Sequence, residues 1–175
     1  MLFSSSGKAI RFSEDNVRAM GRTARGVRGI KLAEDQKVIS LIVPKEGGQI
    51  LTASVNGFGK KTELEEFSRI GRGGQGVIAM QCSERNGELV SAIQVFEGDE
   101  MMLISDQGTL VRTRCDEVST TGRNTQGVKL ISLKDGEHLV RVSRVAEEDV
   151  ASDETEEASE EAAAEATATP PSETE

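Results

Sequence analysis

The sequence predicts an all-β, propeller-like chain of about three four-stranded blades, an incomplete ring, followed by a disordered acidic tail. Three observations lead there. A pattern recurs about every fifty residues, strand-length apolar runs alternate with glycine-rich turns, and the C-terminal segment carries acidic but no basic side chains.

The repeat is anchored by arginine and glycine. "GRTARGVRGIKL" from Gly21 returns as "GRGGQGVIAMQC" from Gly71 and "GRNTQGVKLISL" from Gly122, at intervals of 50 and 51 residues. Upstream the register holds: Gly7, Gly57 and Gly108 correspond, as do Arg11, Lys61 and Arg112, and the apolar Val17, Phe67 and Val118. Periods of this length mark propellers, solenoids and arrays, in which each unit stacks on the next. The repeats run about 1–48, 49–99 and 100–146, with the tail over 147–175.

Within a repeat the elements follow in order. "QILTAS", the turn "VNG" and "FGKKT" read as a hairpin, and "EMMLIS", "DQG" and "TLVRT" as its copy. "TELEEFSRI" suits one short helical turn. The "GV" step opens a short strand, "VIAMQC" or "VKLISL"; a polar turn, "SERNGE" or "KDGE", then leads into "LVSAIQV" or "LVRVSRV". That makes about four strands per unit, as in a propeller blade. Three blades cannot close a ring of typically four to eight. "MLFSSSGKAIRF" also matches the middle of "EMMLISDQGTLVRT", so the chain is expected to be the C-terminal part of a longer protein.

Composition narrows the function classes. The longest apolar runs are strand-sized, far below the roughly 18–20 residues of a membrane span, and no signal peptide is evident. A cytoplasmic, nucleoid-associated location is expected, with no membrane partner. Cys82 and Cys115 stand 33 residues apart with no second Cys or His at ligand spacing, so both read as small apolar strand residues and no metal site is expected. His138, the only histidine, reads as a solvated or capping residue rather than a catalyst.

Charge is divided along the chain. Residues 147–175 hold twelve Asp or Glu, which leaves 21 basic and 18 acidic side chains, net +3, in residues 1–146 of a chain whose total is −9. Such a tail buries too little apolar surface to order itself. It reads either as a tethered polyanion that competes for the basic body or as a solubilising appendage.

Single lysines and arginines on strands are usually solvent decoration that guards edges. Recurrence at equivalent positions shifts that balance toward a stripe of charge on successive blades. Arg22, Arg72 and Arg123 form one series and Arg11, Lys61 and Arg112 another, with Arg25, Arg28, Lys31, Lys60 and Lys129 as supplements. The expected partner is double-stranded DNA, held through its phosphates without base reading. A propeller-type protein-interaction module is the alternative, disfavoured by five Phe and neither Tyr nor Trp. "GRGGQG" lacks the Gly-Lys-Ser/Thr ending of a nucleotide loop.

"MGRTARGVRGIKL", "VNGFGKKTELEEF" and "ISDQGTLVRTRCDEVSTTGRNTQGVKLI" resemble the last part of the bacterial DNA gyrase A family over about residues 1–146. The resemblance implies a β-pinwheel, a propeller variant that wraps DNA on a basic rim in support of ATP-dependent negative supercoiling. It implies no cofactor in this chain, with ATP and Mg2+ in the parent complex. It also implies gyrase B and a second copy of gyrase A as partners, in an A2B2 assembly formed through regions outside this chain. The family's Gln-Arg-Arg-Gly-Gly-Lys-Gly box is only partly matched by "IGRGGQG" from Ile70. Type II topoisomerases cleave through a tyrosine, and this chain has none, so no catalysis is expected of it alone. The C-terminal domain of the corresponding topoisomerase IV protein is the nearest alternative within the family.

Overall fold

A computed structural model describes residues 1–145. The acidic tail expected over 147–175 lies outside the described residues. Among the described residues, eleven strands form three antiparallel sheets. The first repeat supplies β1 (Leu2–Ser4), β2 (Lys8–Ile10) and β3 (Val38–Leu41). The second supplies β4 (Gln49–Ser54), β5 (Phe58–Glu63), β6 (Val77–Ile78) and β7 (Leu89–Val95). The third supplies β8 (Glu100–Ser105), β9 (Leu110–Arg114), β10 (Val128–Lys129) and β11 (Leu139–Val145). Both expected hairpins form, and "TELEEFSRI" contains a 3-10 turn at Leu64–Glu66, matched by others at Glu14–Asn16 and Cys115–Glu117.

The fourth strand of a blade comes from the neighbouring repeat. Sheet orders are β3-β1-β2-β6, β10-β5-β4-β7 and β11-β8-β9. Repeat two therefore lends β6 to repeat one, with Val77 opposite Ala9, and repeat three lends β10 to repeat two, with Val128 opposite Gly59. The six-residue strands expected from "VIAMQC" and "VKLISL" shrink to two. The cause is local: the Ala79 and Met80 N–H groups both donate to the Gly7 carbonyl, at 2.8 and 3.1 Å, and the Leu130 and Ile131 N–H groups both turn to Gly57. Two donors on one carbonyl end a ladder.

Alternation along the strands feeds two cores, each between adjacent blades. Phe3 and Ala9 of the first blade meet Ile50, Leu64, Phe67 and Met80 of the second repeat in one. Leu51, Ala53 and Val95 meet Met101, Leu103, Cys115 and Val142 in the other. Ile50 and Leu51 are sequential and point to opposite faces, so the middle blade is covered on both sides. Burial pushes the Cys115 thiol up to about 11, as suits an apolar residue. His138 is exposed just before β11, where its N–H donates to Asp106 Oδ1 at 2.9 Å.

The repeated glycines allow backbones to meet across the seams. Gly76 and Gly127 have φ of 72° and 78°, and a Cβ there would stand 2.3 Å from the Ala9 carbonyl oxygen and 2.5 Å from that of Gly59. Gly26, the first copy, has φ 80° and nothing within 4 Å. Gly76→Ala therefore incurs both left-handed strain and a backbone clash, and is expected to cost more than about 2 kcal/mol; Gly26→Ala incurs the strain alone, about 1 kcal/mol. Urea melts of dilute protein measure the difference.

Glu137, buried in the last turn, accepts from the Ser105 hydroxyl and, at 3.0 Å, from the Lys134 N–H. These bonds hold its carboxyl down to about 2 from an ordinary 4.5. The folded value is the lower one, so the stabilisation is complete above the unfolded value and disappears as pH falls through the folded one. Thermal melts are expected to separate wild type from Glu137→Gln at pH 7 and to bring them together near the folded value.

Candidate nucleic-acid interface

Three Gly-Arg loops, one per repeat, lie side by side across the blades. The Gly73 N–H donates to the Gly29 carbonyl and the Lys31 N–H to that of Gly74, joining the first loop to the second. One repeat later the Gln81 N–H donates to the Thr125 carbonyl at 2.9 Å, joining the second to the third. The equivalence of Lys31–Gly74 and Gln81–Thr125 makes the row a product of the repeat itself.

Arg22, Arg25, Arg28 and Lys31 are all exposed on the first loop, and Lys129 is exposed on β10. Arg72 is exposed as well, yet its Nε donates to the Asn16 carbonyl at 2.8 Å and Nη1 to that of Arg28 at 3.1 Å. Arg123 is half-buried and repeats this reach, with Nη1 donating to the Ile78 carbonyl at 3.1 Å and Nε standing 3.8 Å from Glu66 Oε2. Arg72 and Arg123 thus clasp the preceding repeat. A guanidinium has five donors in a planar fork, so a clasp of this kind leaves others for an anion.

The second series serves the seams more completely. Arg11 Nη1 donates to the carbonyls of Leu64 and Phe67, at 2.9 and 3.1 Å, pinning the next repeat's 3-10 turn. Lys61 is buried, with its backbone paired to Ser119 and Thr121. Arg112, the third copy, is exposed and ion-paired with Glu100. The series does not form one open stripe.

Lys60 corrects the expectation of a surface contact. It is 0% exposed, and its ammonium donates to the carbonyls of Gly122 and Arg123. Burial pulls its pKa down to about 8. Adjacent strand residues face opposite ways, and in a middle blade covered on both faces neither Lys60 nor Lys61 can reach solvent freely. Arg18 and Arg69 add exposed positive charge beside the row. Comparison of repeats passes over them, because their equivalents are Ser68 and Ser119 for the first and Ala19 and Thr120 for the second.

Comparison with known proteins agrees with this architecture. The family model described as "DNA gyrase C-terminal domain, beta-propeller" matches residues 1–45, 48–95 and 99–146. The DNA gyrase A protein of Pseudomonas aeruginosa is 64% identical over 154 residues, 88% of this chain and 17% of that protein. Its Escherichia coli K12 counterpart is 54% identical over 147 residues, 84% of this chain and again 17% of the relative. A solved DNA gyrase A C-terminal domain superposes with a TM-score of 0.77 at 32% identity, covering 83% of this chain and 50% of the other. The C-terminal domain of a DNA topoisomerase IV gives the same TM-score at 22% identity, which shows the fold alone. Among the described residues no helix is long and apolar enough to cross a membrane. The chain spans about a sixth of the length of these curated relatives, and it belongs to the DNA gyrase C-terminal domain family.

Proposed function

We propose that this chain binds double-stranded DNA along the row of Gly-Arg loops and bends it around the blade edges, without reading sequence. The observation that carries this reading is the hydrogen-bonded succession of loops bearing Arg22, Arg25, Arg28, Lys31, Arg72, Arg123 and Lys129. Phosphates are regularly spaced, and each one neutralised releases counterions, so a regular series of cations suits them. Bending a short site by 40–90° costs about 1–6 kcal/mol, which several contacts together offset. In a gyrase assembly with gyrase B and a second copy of gyrase A, the bent duplex would be presented to ATP-driven strand passage. Cleavage would belong to a tyrosine outside this sequence.

The two classes of basic residue separate by experiment. Replacing Arg22, Arg25, Arg28, Lys31 and Lys129 together by Ala is expected to leave the melting temperature unchanged. It should also flatten the slope of log K against log salt by about 3–5, near 0.9 per lost phosphate contact. Gel-shift titrations on unrelated duplexes measure this, and unchanged affinity and slope would overturn the reading. Lys60→Met should do the reverse. The carbonyls of Gly122 and Arg123 lose their donor, at about 1–3 kcal/mol, while the salt slope stays put.

A further inference from the structure

The two seams share one backbone plan and differ in charge. Where the first seam carries Ile10, Asn16 and Arg72, the second carries Lys60, Glu66 and Arg123 at the equivalent positions. Lys60 and Glu66 cancel, so each set keeps the single positive charge of its arginine. The difference lies in what that arginine faces.

At the first seam Arg72 Nε donates to the Asn16 carbonyl at 2.8 Å, and its guanidinium forms no ion pair among the described residues. At the second seam that bond is missing. Arg123 Nε is buried, has no hydrogen-bond partner among the described residues, and faces Glu66 Oε2 at 3.8 Å. This is an ion-pair distance, too long for a hydrogen bond. The Glu66 side chain is 47% exposed, yet it has a second reason to stay. Lys60 lies beneath, its ammonium held by the carbonyls of Gly122 and Arg123. Burial opposes the charge on Lys60 and Glu66 favours it, so one carboxylate answers two cations.

We propose that Glu66 stands in for a phosphate on Arg123, so that the third Gly-Arg loop grips a duplex less than the second. The inference rests on the reading of the loop row as a DNA track, and it makes the members of that row unequal. Arg72, with only backbone carbonyls for partners, keeps its full charge for an incoming phosphate. Arg123 meets a phosphate only at the expense of Glu66, whose departure also strips Lys60 of its counter-charge. Grip therefore falls from the second loop to the third, and a bound duplex lifts off first at the third. Asn16 marks the ungated form of the same position.

Exchange of the two equivalent residues in the 175-residue chain tests this, with binding to a duplex of arbitrary sequence followed by fluorescence anisotropy across a salt series. Glu66→Asn is expected to tighten binding roughly two- to fivefold at low salt and to steepen the slope of log K against log salt by about 0.9, one phosphate contact. Asn16→Glu should do the opposite at Arg72, and it decides the matter if Glu66→Asn lowers the melting temperature. Glu65→Gln removes the same charge from the same exposed turn without touching Arg123, and should leave the slope unchanged. In an Arg123→Gln background the gain from Glu66→Asn should vanish. A wild type without salt-dependent binding would overturn the DNA track and this proposal with it. A wild type that binds as expected overturns this proposal alone if the exchanges leave the slope unchanged, if Glu65→Gln matches Glu66→Asn, or if the gain survives the loss of Arg123.

Discussion

The close approach of two backbones at each seam is the constraint on which the rest of this structure depends. A strand of two residues contributes little by itself. It is held because Gly76 comes within contact distance of the Ala9 carbonyl, and Gly127 of the Gly59 carbonyl, where no side chain fits. With the lent strand in place, the following N–H pair caps the carbonyl of Gly7 or Gly57, and the 3-10 turn of the lending repeat brings Phe67 or Val118 into the core. Hydrophobic burial then supplies the stability, and the glycines decide where it can be collected.

The arginines can be understood from the same seams. A loop that crosses from one blade to the next carries carbonyls that its own repeat cannot satisfy, and Arg72 and Arg123 donate to those of Arg28 and Ile78. Each guanidinium is thereby held at a blade edge in a fixed orientation. A side chain already immobilised for structural reasons loses less entropy when it meets a phosphate. Structural and electrostatic roles are thus compatible at the first series. At Lys60 they are not, because both of its acceptors lie inside the protein.

Much of the fold is legible in the sequence because the repeat supplies three readings of each element. The hairpins over Gln49–Glu63 and Glu100–Arg114 follow from strand-turn-strand chemistry, and the turn at Leu64–Glu66 from its polar, acidic composition. The ownership of β6 and β10 is not legible, since a Val-Ile or Val-Lys pair beside glycine looks the same whether it pairs within its repeat or outside it. The site is legible in part. Recurrence identifies Arg22, Arg72 and Arg123 as one position, but Lys60 and Lys61 read as surface contacts for phosphate until the second covering face of the middle blade is known. Arg18 and Arg69 have no basic equivalents in the other repeats, and a comparison of repeats has no purchase on them.

Strand β4 carries one further consequence. Its Ile50 belongs to one core and its Leu51 to the other, so the two interfaces of the stack share a single backbone. Loss of an outer repeat dissolves one core and spares the rest, whereas loss of the middle repeat dissolves both together. Among the described residues, coupling between the two cores therefore runs through the middle repeat.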